Sequence, residues 1–172
     1  MTRRTKKTSG RVESGRYEIR SGSLSPSIFG NNIAVQAFRL MLKVMKKPVP
    51  PLVIGRTPSL SNVSKALVQK SRAKLLEMCK ASKKDKRLFE RDLVYGEYFP
   101  EAILVYAYIT MTKGSYLTTK DRILIEEAIA IEKTKSKYYV TAKMRKQRMM
   151  QLNHLKNTLE AYKNGVAQDG ST

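Results

Sequence analysis

The amino-acid sequence predicts an all-α protein, a helical bundle with an extended basic N-terminal arm and one long C-terminal helix. Apolar residues recur three, four or seven positions apart along most of the chain, which is the period of amphipathic helices. Five such stretches are present, and no β-hairpin signal accompanies them. The 172 residues suffice for one domain. We divide the chain into an arm (1–30), a helical body (31–164) and a flexible tail (165–172).

The chain is strongly basic. Lys and Arg total 34 against 14 Asp and Glu, which gives a formal charge of +20 and a sequence pI near 10.2. Because repulsion between these cations opposes compaction, a polyanion is the expected counterweight, and nucleic acid releases condensed counterions when its phosphates are neutralised. An anionic membrane surface is a second candidate partner, allowed but not required. Apolar residues make up 41% of the chain, which excludes a wholly disordered basic tail.

The arm combines many cations with Ser, Thr and Gly. It can build no core of its own, so we expect it to be disordered when alone. Basic arms of this kind become ordered on nucleic acid, where Arg and Lys contact phosphates. Tyr17 is the only aromatic residue before Phe29, and we expect it to be weakly ordered. The candidate nucleic-acid-binding residues of the arm are Arg3, Arg4, Lys6, Lys7, Arg11, Arg16 and Arg20.

A first helix is predicted from Ile33 to about Met45. The sequence Ser25-Pro26-Ser27 signals a turn before it, and either Asn31 or Asn32 is a suitable N-cap. The helix is apolar over most of its circumference, which predicts that it is wedged between other elements or subunits.

The first helix also has a narrow basic edge. This edge carries two further candidate nucleic-acid-binding residues, Arg39 and Lys43. Pro48 ends the helix, because the residue before a proline avoids helical geometry. The Pro-rich segment 48–58 is expected to be a stiff, extended linker.

Two helices and a second basic zone are predicted after the linker. The first of these two helices runs from about Leu60 to Ala81, with Ser59 or Ser61 as its cap. A polar turn at 82–87 separates it from a short helix over Lys86 to Tyr95. Ten cations lie between residues 65 and 91, against three acids.

The next element begins at Pro100 and is apolar almost all round. Periodicity alone does not separate a buried helix from a buried strand here. Proline at a first helical position, followed by Glu101 near the positive end of the helix dipole, favours a helix. Gly114 is expected to end it.

The C-terminal stretch from Thr119 to Lys163 contains neither Pro nor Gly, so a helix of up to about 45 residues is predicted. Its start and its end are apolar and suited to helix packing. Its middle is cationic, with no acid to balance it, and this predicts contact with phosphates. Tyr138 and Tyr139 stand beside these cations and could stack on bases, although packing is the commoner role of such a pair. The candidate nucleic-acid-binding residues of this middle are Lys135, Lys143, Arg145, Lys146 and Arg148.

Catalysis is not predicted. One Cys and one His exclude a disulfide within the chain and a Cys/His zinc site. The acidic residues show no pattern that would converge on a metal ion, and neither a Gly-rich phosphate loop nor a nucleophile motif is present. We therefore predict no enzyme activity, no cofactor and no metal. No apolar segment follows the charged N-terminus, so a secretory signal is not predicted.

The order of the segments is similar to that of a known group of structural proteins. A basic Ser/Arg arm and a turn lead into a compact helical body, and the residues that carry the similarity are Gly10-Arg11, Arg16-Tyr17, Ser25-Pro26-Ser27-Ile28 and Asn31-Asn32. In this layout the chain resembles the major coat proteins of archaeal filamentous viruses, the lipothrixvirus and rudivirus group. The resemblance implies a capsid subunit of a virion, which assembles with itself or with a paralogous coat subunit. It also implies that the arm and first helix embrace double-stranded DNA in A-form, while the bundle forms the outer wall of a helical filament.

Two other classes of protein fit the composition. One is a ribosomal or other ribonucleoprotein subunit, whose basic ends would thread through structured RNA. The other is a peripheral membrane or matrix-type protein, which would use the same cations on anionic lipid. Double-stranded DNA, which the resemblance implies, is the favoured partner, and RNA is the alternative.

Overall fold

A computed structural model describes Tyr17, residues 25–139 and residues 141–164. Within these residues the chain forms six α-helices and no β-strand, which confirms the predicted all-α class. The helices are α1 (Asn32–Val44), α2 (Lys65–Glu77), α3 (Lys83–Phe89), α4 (Pro100–Thr112), α5 (Thr119–Lys135) and α6 (Ala142–Ala161). Segment 48–58 contains no helix. The tail and, apart from Tyr17 and residues 25–30, the arm lie outside the described residues, and so do the predictions of disorder that concern them.

Helix α4 is the centre of the bundle. Eleven of its thirteen residues are buried, since its sequence is apolar on every side and must be surrounded. Helices α1, α2 and α5 pack against it, and α6 packs against α5.

Helix α4 runs antiparallel to both α2 and α5. The Phe99 amide before α4 donates to the Cys79 carbonyl just beyond α2, at 2.9 Å. The start of α4 therefore lies beside the end of α2. Glu101, in the first turn of α4, likewise pairs with Lys135 at the end of α5. We call this end of the bundle, where α4 and α6 begin, the arm end.

The predicted helix starts are confirmed where capping residues are clear. Asn31 caps α1, because its Oδ1 accepts from the Ala34 amide at 2.8 Å. Pro100 occupies the first turn of α4. Thr118 and Asp121 form a reciprocal capping box at the start of α5, which satisfies two amides that have no helical partner.

The second and third helices differ from the prediction. Helix α2 begins at Lys65 rather than near Leu60, because Ser64 is the residue that caps it. The segment 82–87 is not a turn. Ser82 and Asp85 form a capping box there, so α3 begins at Lys83.

The prediction of a single long C-terminal helix is also wrong. Helix α5 ends at Lys135, and a 3₁₀ turn over Ser136–Tyr138 precedes α6. The sequence Tyr138-Tyr139-Val140-Thr141 is aromatic and β-branched and favours helix weakly, while the Thr141 hydroxyl accepts from the Met144 amide at 3.0 Å and starts a new helix. The break allows α6 to pack against α5.

Tyr17 is part of the core, contrary to the expectation of weak order. Only 2% of its surface is exposed. Its ring meets that of Phe99 edge to face, with the centroids 5.0 Å apart, and its hydroxyl donates to the Met78 carbonyl. Because Phe99 and Met78 lie at the arm end, this residue joins the arm to that end of the bundle.

Candidate nucleic-acid interface

Acidic residues are unevenly distributed along the chain. Residues 25–76, which include α1 and most of α2, contain no Asp or Glu, and neither do residues 133–159. Cations in these two segments can be neutralised only by acids from elsewhere in the fold. Which cations remain available to a ligand is therefore decided by contacts between helices.

The cations predicted on the first helix are available. Arg39 and Lys43 are both exposed, whereas Ala34, Phe38 and Met41 of α1 lie in the core. Lys46 follows the helix and is exposed as well. Lys46 was not among the candidate binding residues, although it belongs to the same acid-free segment.

Two cations of the C-terminal stretch are enclosed in an ion network at the arm end. Lys135 Nζ lies 2.8 Å from Glu101 Oε2 and 3.0 Å from Glu132 Oε2. Arg148, which has no exposed surface, pairs with Glu132 Oε1. We call these four residues, Glu101, Glu132, Lys135 and Arg148, the buried ion network. Its two acids balance its two bases, so the prediction that Lys135 and Arg148 bind phosphate is corrected.

The electrostatics of the network agree with this pairing. Burial disfavours the charge of Lys135, but Glu101 and Glu132 outweigh it and raise the pKa of this ammonium group. Burial also opposes ionisation of Glu132, yet the charges of Lys135 and Arg148 lower the pKa of its carboxyl. For Glu101, burial is the stronger effect, and its pKa is raised despite the contact with Lys135. Glu132 is thus the firmly ionised centre of the network.

Arg148 also holds the base of the arm. Its Nη1 donates to the carbonyls of Pro26 at 3.2 Å and Ser27 at 3.0 Å. The Tyr139 hydroxyl donates to the Ser25 carbonyl at 3.2 Å. We call these three contacts the arm anchor. They place Ser25, to which the first 24 residues are attached, directly beside the start of α6.

Two exposed lysines lie near the arm anchor along the axis of α6, on the face of the helix opposite to the buried Arg148. Lys143 and Lys146 are exposed in the first two turns of α6, five and two positions before Arg148. At 1.5 Å per residue they lie within about 7.5 Å of it along the helix axis. Arg145 is half-buried and donates to the Tyr139 carbonyl at 2.7 Å, so it supports the anchor rather than facing solvent.

The structure therefore sorts the predicted residues into three groups. Arg39, Lys43, Lys143 and Lys146 are exposed on α1 and α6. Lys135, Arg145 and Arg148 make contacts within the protein. The remaining predicted residues, Arg3, Arg4, Lys6, Lys7, Arg11, Arg16 and Arg20, lie outside the described residues.

The second basic zone is partly neutralised in the same way. Arg72 of α2 is paired with Asp121 of α5 at 2.8 Å, and Lys80 is paired with Glu77 at 3.3 Å.

The positioning roles of Tyr139 and Arg148 were also missed by the sequence analysis. No periodic signal could have found them, because their partners lie more than a hundred positions away.

The described residues contain neither a metal site nor a membrane-spanning helix. No group of three or more His, Cys, Asp or Glu side chains there could hold a metal ion. None of the helices in this part of the chain is long and apolar enough to cross a bilayer.

A groove of about 550 Å³ lies between α4 and α6, with Phe29, Tyr108, Met111, His154 and Leu155 among its lining residues.

Comparison of the chain with protein families, curated proteins and solved structures finds no match.

Proposed function

We propose that this chain is a structural nucleic-acid-packaging protein. Many copies bind double-stranded DNA non-specifically through its phosphates and assemble into a helical nucleoprotein filament, as the major coat protein of a virus does. The arm and the exposed lysines at the start of α6 contact the phosphates, and α1 contributes Arg39 and Lys43. The protein carries out no chemical reaction in this role.

The observation that carries the proposal is the arm anchor. The anchor joins the arm, with its seven cations, to the part of α6 that carries Lys143 and Lys146. A phosphate backbone that follows the arm would therefore reach the end of the bundle at which α6 carries these lysines. Non-specific binding depends on cations that neutralise phosphates and requires no contact with base edges.

The proposal is tested by mixing the chain with long duplex DNA and imaging the product by electron microscopy. We expect regular helical filaments. Discrete complexes formed with one structured RNA, and no filaments on duplex DNA, would instead assign the chain to ribonucleoproteins. Binding to anionic vesicles without affinity for either nucleic acid would assign it to membrane surfaces.

A charge-matched pair of variants tests which lysines are involved. Lys143→Gln/Lys146→Gln removes the exposed cations beside the arm anchor. Lys120→Gln/Lys163→Gln removes two exposed lysines near the other end of α6, which spans about 30 Å. The logarithm of the binding constant falls linearly with the logarithm of the salt concentration. We expect the first variant to make this line less steep, by about 0.9 for each phosphate that it no longer neutralises. The control should retain the slope of the unmodified chain, and equal slopes for both variants would contradict the assignment.

A further inference from the structure

The linker between α1 and α2 carries an exposed arginine at the end of a tight turn. The Arg56 amide donates to the Val53 carbonyl at 3.1 Å and closes a four-residue turn, Val53–Arg56, which we call the Arg56 turn. Gly55, its third residue, has a φ of 92°, which glycine adopts without strain. The Arg56 side chain is exposed to solvent.

The Arg56 turn is fixed to the base of the arm, residues 25–29. The Gly55 amide donates to the Phe29 carbonyl at 2.7 Å, and the Ser27 hydroxyl donates to the Gly55 carbonyl at 3.2 Å. A Cβ atom added to Gly55 would lie 3.1 Å from the Ser25 Cβ atom, so the turn also packs directly on Ser25. Because consecutive Cα atoms are about 3.8 Å apart, the Cα atom of Arg56 lies within roughly 9 Å of the Ser25 side chain.

The side chain of Arg56 has no partner within the described residues, where it forms neither an ion pair nor a hydrogen bond. Residues 25–76 contain no acid, and neither do residues 133–159, which hold the base of the arm from the other side through the arm anchor. The arm adds seven cations against Glu13 and Glu18. Positive charge is therefore in excess around Arg56, and a site of this kind attracts an anion.

The lysines of α6 face away from the base of the arm. Arg148 donates to the carbonyls of Pro26 and Ser27, and Lys143 and Lys146 lie on the opposite face of the helix. A phosphate beside the base of the arm therefore needs a cation from another element. The Arg56 turn supplies this cation at a fixed place, and the planar guanidinium of an arginine can bind two phosphate oxygens at once.

We propose that Arg56 binds a phosphate of the nucleic acid at the base of the arm. The Arg56 turn holds the guanidinium beside Ser25, so a strand that follows the arm meets this cation as it reaches the bundle. The Pro-rich linker thus serves as more than the spacer that its sequence predicts, because its turn carries a binding residue. The inference rests on the proposed function and adds to it a contact that was not among the predicted residues.

The test is binding of the full chain to a short DNA duplex that holds one copy, measured at several salt concentrations. Arg56→Gln removes one cation, so the logarithm of its binding constant should fall less steeply with the logarithm of the salt concentration, by about 0.9. Between about 50 mM and 200 mM salt, the advantage of the unmodified chain over this variant should therefore shrink by about 3.5-fold. Arg56→Lys retains the charge and should retain the slope.

The matched control is Arg87→Gln. It removes an exposed arginine of α3 that likewise forms no ion pair or hydrogen bond with its side chain in the described part of the protein. Because Arg87 belongs to neither acid-free segment, we expect this variant to retain the slope of the unmodified chain.

An unchanged slope for Arg56→Gln would overturn the inference, and so would an equal change for Arg87→Gln, since any lost cation would then have the same effect. An unchanged slope together with weaker self-association of Arg56→Gln, measured by sedimentation velocity without nucleic acid, would assign Arg56 to a contact with a neighbouring copy. Both results are obtained on chains that bind the duplex and leave the proposed function intact. An unmodified chain that does not bind the duplex would instead overturn the proposed function, and this inference with it.

Discussion

The guanidinium of Arg148 and the carboxylate of Glu132 form a buried ion pair that connects α6 to α5. The same guanidinium binds the carbonyls of Pro26 and Ser27. One side chain thus links the helix that carries Lys143 and Lys146 to the base of the arm. We expect this pair to control both the stability of the bundle and the position of the arm.

Arg148→Met should therefore be strongly destabilising. It leaves the Glu132 carboxylate buried with Lys135 as its remaining partner, and loss of one member of a buried pair costs about 3–5 kcal/mol. The double variant Glu132→Leu/Arg148→Met removes both charges and leaves the contact between Lys135 and Glu101, so it should be more stable than Arg148→Met alone. Urea denaturation of both variants measures the difference. A double variant less stable than Arg148→Met would show that Glu132 stabilises the fold independently of Arg148.

Removal of residues 1–16 should weaken duplex binding without unfolding the body. The truncation removes six of the seven arm cations and retains Tyr17, which the core requires. The dependence of the binding constant on salt, plotted as logarithms, should become less steep by about 0.9 for each phosphate that the shortened chain leaves without a cation. The thermal midpoint should stay the same. Replacement of the same six cations by Gln is the matched control for chain length. An unchanged salt slope in both proteins would remove the arm from the interface.

Tyr17 should contribute to stability, although it lies in a segment predicted to be disordered. Tyr17→Ala removes the ring packed on Phe99 and should cost about 3 kcal/mol, whereas Tyr17→Phe loses the hydrogen bond to Met78 and should cost about 1 kcal/mol. Chemical denaturation of the full chain provides both values. Tyr116→Ala, at an exposed position, is the control and should change stability by less than about 0.5 kcal/mol. A Tyr17→Ala variant as stable as this control would show that the arm is not anchored through Tyr17.

Stability should fall at alkaline pH through ionisation of Tyr162. Burial raises the pKa of Tyr162 to about 12, partly offset by Arg122, and the hydroxyl donates to the Ser115 carbonyl at 2.7 Å. An unfolded tyrosine has a pKa of about 10. The stability that depends on the protonated hydroxyl is therefore complete below about pH 10 and is lost as the pH rises through about 12.

Calorimetry between about pH 9 and pH 12 checks this expectation. The Tyr162→Phe variant has no hydroxyl to ionise at this position, so its thermal midpoint should fall less steeply over the same range. Tyr116→Phe, which removes an exposed hydroxyl, is the control and should follow the unmodified chain. Identical slopes for all three proteins would show that Tyr162 does not govern the alkaline transition.

The class of the fold and the starts of three of the six described α-helices could be predicted from the amino-acid pattern. Periodic apolar residues indicate the all-α architecture, and local signals that act over three or four residues indicate the helix starts marked by Asn31, Pro100 and Thr118. The helix break at 136–141 is also encoded locally, by weak helix formers followed by the Thr141 cap. The absence of Pro and Gly obscured it, because a helix can also end where side chains favour other conformations.

The cations that are available to a partner could be identified only from contacts between helices. In the sequence, Arg148 and Lys146 are equivalent members of one basic run, but the fold buries the first against Glu132 and exposes the second. Tyr17 and Tyr139 are likewise placed by partners far away along the chain, at Met78 and Ser25. Charge density is a property of a segment, whereas pairing depends on contacts between segments. A buried charge is retained only where an opposite charge compensates the loss of water, and the packing of the helices sets where those charges meet.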